Sequence, residues 1–243
     1  MELIIFLCVS AVAVGLVFYM AQKAAVRSLL QQKDKTAALH SALQNRRLAS
    51  LPIIKRLLAE GAKVNHVGEF GRPPLVAALS QRCPLPVIRT LIEAGALVNG
   101  SGDLLKNPLI AALFYCNSPD VISELLKAGA DPDVRMEDGS SLLMIAACFY
   151  HQETILDLFL DKGNKLDDQN FEGMTALSAA AAYGRSAKNI KKLAALGADQ
   201  DIADHAGKTA ADYLRGNWRF CWRQDLRRLL PRAKKKHSEK LKK

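Results

Sequence analysis

Aromatic side chains make up only 6% of the 243 residues. Beside abundant Ala and Leu, that scarcity favours helices over strands. Cysteine is limited to five, at positions 8, 83, 116, 148 and 221, with no CxxC and no Cys/His zinc spacing. An odd count without pairing excludes a secreted disulfide scaffold and fits buried, reduced thiols. Catalytic signatures are missing as well: there is no HExxH and no GxSxG. The AGKT at 206–209 ends like a phosphate loop, but Ile202 stands where the first Gly would be needed. His66, His151 and His205 pair with no activated nucleophile. The pairs Asp131/Asp133 and Asp167/Asp168 sit in acidic loops rather than in a calcium pattern. No catalytic, cofactor-binding or metal residue is assigned, and an enzyme is the weaker reading.

Charge is missing where it matters most. Leu3 to Ala21 reads LIIFLCVSAVAVGLVFYMA, without one charged residue. At ~1.5 Å rise per residue the run approaches the ~30 Å hydrocarbon core. Only Met1 and Glu2 precede it, so the basic n-region of a cleaved signal peptide is lacking. Residues 22–47 then carry Lys23, Arg27, Lys33, Lys35, Arg46 and Arg47 against Asp34 alone. The positive-inside rule predicts an uncleaved anchor with the bulk of the chain in the cytoplasm. The opposite topology, with the remainder outside the cytoplasm, is the alternative. There the Asn99-Gly100-Ser101 sequon would also be available.

The rest is repetitive. Gly61, Gly95, Gly129, Gly163 and Gly197 are 34 residues apart, and Gly71, Gly139, Gly173 and Gly207 share the period, with Leu105 in the vacant place. Such a period means stacked units. Each contains two helical patterns. The first starts PPLVAALS, NPLIAALF, SLLMIAAC or TALSAAAA, with Asn107, Ser141 and Thr175 suited to N-caps and Pro74 and Pro108 to the next position. The second carries an i, i+3, i+4 apolar stripe, as in Ile122, Leu125 and Leu126. A lone pair cannot hide that stripe, whereas stacked pairs can.

These residues resemble the ankyrin repeat, most closely in GMTALSAAAAYG (173–184) and GKTAADYL (207–214). The resemblance covers about 36–231. Here the period is one residue longer, and the extra residue is expected in the turn between the helices. The predicted fold is all-α: an ankyrin-repeat solenoid of about six helix-turn-helix units, the terminal ones atypical, after an N-terminal transmembrane helix. The expected organisation is a signal-anchor at 1–22, a basic linker at 23–35, and repeats at 36–231. Their units are 36–68, 69–102, 103–136, 137–170, 171–204 and a cap at 205–231. A basic disordered tail follows at 232–243. In the cap, WRFCWRQDLRRLL is expected to form one helix with Trp218, Cys221, Trp222, Leu226 and Leu229 inward.

The resemblance implies protein binding rather than catalysis. Tyr115, Phe149 and Tyr183 recur at one repeat position, with Phe114 and Tyr150 beside them. In ankyrin proteins that position faces the concave, partner-binding side. The rings form either a docking ladder or inward packing. Phe70, Met136 and Phe171 are secondary candidates at loop tips. A second candidate is the basic end: Arg219, Arg223, Arg227, Lys234, Lys235 and Lys236 could meet anionic lipid, or nucleic acid, or only water. The net charge of +10 is uneven, for residues 48–204 carry 15 basic against 19 acidic side chains. The expected protein is a membrane-tethered adaptor or scaffold for an unidentified protein partner. The extracytoplasmic alternative is a stress-protection or immunity-type binding protein.

Overall fold

A computed structural model describes residues 17, 19–68, 71–100, 103, 106–116, 118–150, 154–160 and 165–230. The chain divides into two compact units, Met1–Leu97 and Val98–Lys243. In the first, a helical segment over 19–31 is followed by α1 (Lys35–Gln44), α2 (Leu51–Ala59), α3 (Pro74–Ser80) and α4 (Leu85–Glu93). Helix α1 packs on α2 and α3, and α4 packs on both α2 and α3.

The second unit begins with α5 (Pro108–Ala111), which passes directly into a π-helical turn, Ala112–Cys116. Then come α6 (Pro119–Lys127), α7 (Leu142–Phe149), α8 (Thr154–Leu160), α9 (Ala176–Tyr183), α10 (Ala187–Ala195), α11 (Ala210–Gly216) and α12 (Gln224–Leu229). Helices α7, α9 and α11 pack side by side as one layer. The contacts of α6 with α8 and of α10 with α12 make a second layer. Among the described residues there is no strand, only an isolated antiparallel bridge between Arg135 and Ser141.

Local chemistry sets the helix ends. Asn107 Oδ1 accepts from the amides of Leu109 and Ile110, Ser141 Oγ accepts from Met144, and Thr175 forms a reciprocal capping box with Ser178. Each supplies an acceptor to amides that have no partner within the helix. Helices α7 and α9 of the first layer are buried nearly all round: in α7 every residue from Leu142 to Cys148 is inside. Those of the second layer bury one stripe, such as Val121, Ile122, Leu125 and Leu126 in α6. Each large side chain so buried contributes ~1.5–3 kcal/mol, and stacking is what buries it. Gly95, Gly129 and Gly197 leave their helices at φ of 85°, 90° and 88°, the left-handed C-cap. The finger glycines Gly139, Gly173 and Gly207 have φ of 77°, 82° and 74°.

No helix among the described residues is long and apolar enough to cross a membrane. Of the run Leu3–Ala21, only residue 17 and residues 19–21 are described; the rest, like the tail at 232–243, lies outside the described residues.

Candidate protein-binding face

The ends of the first-layer helices in the second unit open onto a cleft of about 380 Å³. Its lining includes Phe114, Met144, Phe149, Met174 and Tyr183. Phe149 and Tyr183 are 39% and 60% exposed, well above the buried residues beside them on their helices. The rings of Phe114 and Phe149 lie 5.3 Å apart at 48°. Asp138 and Glu172 also line the cleft, each exposed.

Of the residues expected in a ladder, Phe149 and Tyr183 border this cleft, with Phe114 in place of Tyr115. Phe114 lines the cleft with its ring tilted against that of Phe149, while Tyr115 is half-buried on the π-turn outside that lining. A π-turn closes i→i+5 rather than i→i+4. It takes up one additional residue and rotates each later side chain about the axis. In this repeat the additional residue thus falls at the end of the helix itself rather than in the turn beyond it.

Tyr150 departs from the expected surface role. It is 1% exposed, and its hydroxyl donates to the carbonyls of Leu113 and Ala112, the latter at 3.0 Å. Its backbone is extended (φ −99°, ψ 145°), so the ring leaves the helical face of Phe149 and turns inward. Two asparagines perform the same task further along. Asn189 Nδ2 donates to the carbonyls of Ala147 and Tyr150, and Asn217 Nδ2 to those of Ala181 and Ala182. The π-turn after α5 and the ends of α7 and α9 thus have carbonyls satisfied by a polar side chain from further along the chain. The 34-residue pattern conceals this, because the donors differ in type and position.

At the loop tips, Phe171 is 73% exposed and its ring lies over Gly139, where a Cβ would stand 2.7 Å from the ring. The Phe171 amide donates to Asp138 O and the His205 amide to Glu172 O, joining successive fingers. Met136 is half-buried in the cleft wall, and Phe70 lies outside the described residues. His40 is buried, with Nε2 donating to His66 O at 2.7 Å.

The last segment differs from its expected form. Residues 218–222 are turns, and helix appears only from Gln224 to Leu229. Phe220, Leu226 and Leu230 are the buried residues, while Trp218 and Trp222 are 73% and 86% exposed. Asn217 sets this arrangement: its backbone is extended, its Nδ2 is held by the preceding repeat, and its Oδ1 takes the Arg219 amide. Arg219, Arg223 and Arg227 are exposed; Lys234, Lys235 and Lys236 lie outside the described residues.

Burial pushes the Cys148 thiol up to about 12 and the Cys83 thiol up to about 11. Both therefore stay protonated at neutral pH. Among the described residues no group of His, Cys, Asp or Glu is placed to hold a metal ion.

Residues 109–204 match the family model described as ankyrin repeats, three copies. The fold matches one chain of the solved complex of a predatory endopeptidase from Bdellovibrio bacteriovorus with an immunity protein. Identity there is 27%, covering 76% of this chain and 92% of that one, with a TM-score of 0.60. It also matches the ankyrin repeat domain of human ASB11 at 24% identity, covering 75% of this chain and 78% of that one, with a TM-score of 0.63. No curated protein sequence matches the chain.

Proposed function

Because the chain is an ankyrin-repeat protein, a module of protein–protein interaction, we propose that it binds a protein partner through the Phe114–Phe149–Tyr183 cleft while tethered to a membrane. The observation that carries the reading is the pair Phe149 and Tyr183: large, exposed rings in register on a face whose neighbouring positions are buried. Rigid aromatics bordering a cleft are the usual anchors of an interface. The methionines at its base, Met144 and Met174, adapt to the shape of an inserted side chain. The tether is the uncharged run Leu3–Ala21, and the basic flank at 22–47 supports a cytoplasmic placement of the repeats. The basic end, with Arg219 and Arg227, suits contact with anionic lipid.

A photo-crosslinking residue at position 183, in native membranes, tests the cleft. A discrete adduct is expected, and it should vanish when Phe114 and Phe149 are both changed to Ala in a chain of unchanged helicity. An adduct that survives this double change defeats the reading.

A second reading places the repeats outside the cytoplasm as an immunity-type binding protein. The likeness to a chain of the endopeptidase–immunity complex supports it. Paired reporters fused to the C-terminus, one active only in the cytoplasm and one only outside it, decide between the two.

A further inference from the structure

The chain has two tryptophans, and both stand in water on one short turn, at 73% and 86% exposure. The turn is not loose. Phe220 between them is 4% exposed, its amide and that of Cys221 donate to Asn217 O, and Asn217 is itself held by the preceding repeat. The indoles are thus the outward residues of a pinned segment. The charge of the surrounding sequence is mainly positive. The Arg219 guanidinium stacks 4.8 Å from the Trp218 ring centre. Arg227 and Arg228 are exposed on α12. The nearby acid, Asp225, is taken up by Arg223 and Lys191, each at 2.8 Å. In sequence the cationic character continues through RAKKKHSEKLKK.

Indole is amphipathic and settles at the boundary between headgroups and acyl chains, and guanidinium groups beside it meet phosphate. We propose that Trp218 and Trp222 seat in the interface of an anionic bilayer, with Arg219, Arg227 and Arg228 on the lipid phosphates. The charge favours lipid over a neutral protein groove, and the apolar run at the other end of the chain supplies the bilayer. In that last respect the proposal rests on the tethered reading above.

No other tryptophan contributes, so intrinsic fluorescence of the full chain reads this turn alone. The chain is reconstituted into nanodiscs with a tryptophan-free belt, of phosphatidylcholine with and without phosphatidylglycerol. Co-elution with neutral discs reports the tether separately. Expected in anionic discs are emission at shorter wavelength and quenching by brominated acyl chains, both reversed by salt. In neutral discs the emission should remain that of indole in water. Changing Arg219, Arg227 and Arg228 to Gln should abolish the shift, each charge being worth about fivefold in partition. If the chain fails to enter neutral discs, the tether falls and the same spectra are taken with added anionic vesicles. Water-like emission with anionic lipid, or an equal shift in both disc types, overturns the proposal. So does a shift caused by polyglutamate and not by anionic lipid, which would assign the turn to an acidic protein.

Discussion

At the residue scale the clearest signals are backbone ones. The glycine series is legible because L side chains resist the left-handed region, so only Gly recurs there. Gly197→Ala should destabilise by ~1–2 kcal/mol through that strain alone, since a Cβ there meets nothing within 4 Å. Thermal melts check it. Arg82 is the converse, a non-Gly residue at φ 54° with an exposed side chain. Arg82→Gly should leave the midpoint unchanged or raise it, because relief of strain offsets the added freedom of the unfolded chain. A fall comparable to that of Gly197→Ala would contradict this. Thiols divide in the same way by burial. Cys148, held protonated, should resist iodoacetamide in the native chain at pH 8, and half-exposed Cys116 and Cys221 should react before it, as mass spectrometry of the labelled peptides would show. Tyr150 was not legible at this scale: Gly184, one period on, shares its extended backbone but has no side chain to turn inward, so only the carbonyls that Tyr150 reaches explain its burial.

At the element scale, caps and apolar stripes announced the helices correctly because both are local. The π-turn after α5 and the broken cap segment were not announced, and for one reason. Trp218, Cys221, Trp222, Leu226 and Leu229 have helical spacing, yet spacing carries no information about a side chain such as Asn217, whose partners lie some 35 residues away. The last finger offers a test by pH. Burial would raise the Asp204 carboxyl, but the Tyr213 hydroxyl and the amides of Lys208 and Ala206 outweigh it, so its pKa lies below the usual value. The same bond, then burial, pushes Tyr213 up to about 12. Asp204 therefore contributes stability above the ordinary carboxylate range that is lost as pH falls through its lowered value. Tyr213 contributes stability below pH ~10 that is lost as pH rises through about 12. Tyr213→Phe should flatten the alkaline limb of the stability profile between those limits, and Asp204→Asn should flatten the acid limb as well. An unchanged alkaline limb in Tyr213→Phe would show that the bond does not form.

At the scale of the whole molecule, the mean composition conceals a division of labour: an apolar run, mildly acidic repeats and a basic end. The candidate cleft was half legible, since Phe149 and Tyr183 follow the period while the exchange of Tyr115 for Phe114 depends on a helix type that no residue spacing reveals. Repeat-to-repeat bonding follows the period more faithfully. Asn65 Nδ2 donates to Gly95 O and its Oδ1 accepts from the Leu97 amide; Asn99 does the same with Gly129 and Asp131; Asp167 accepts from Asp199. Asn99→Ala should cost ~1 kcal/mol and lower the melting midpoint by several degrees.

That chain of handshakes also limits how such a protein can change its length during descent. One residue gained or lost between Asn99 and Gly129 moves a donor away from its acceptor on one side without moving it on the other. Duplicating or excising 34 residues at a time keeps these loop donors and acceptors in register. Heredity can therefore edit this molecule readily in whole modules and only reluctantly in fractions of one.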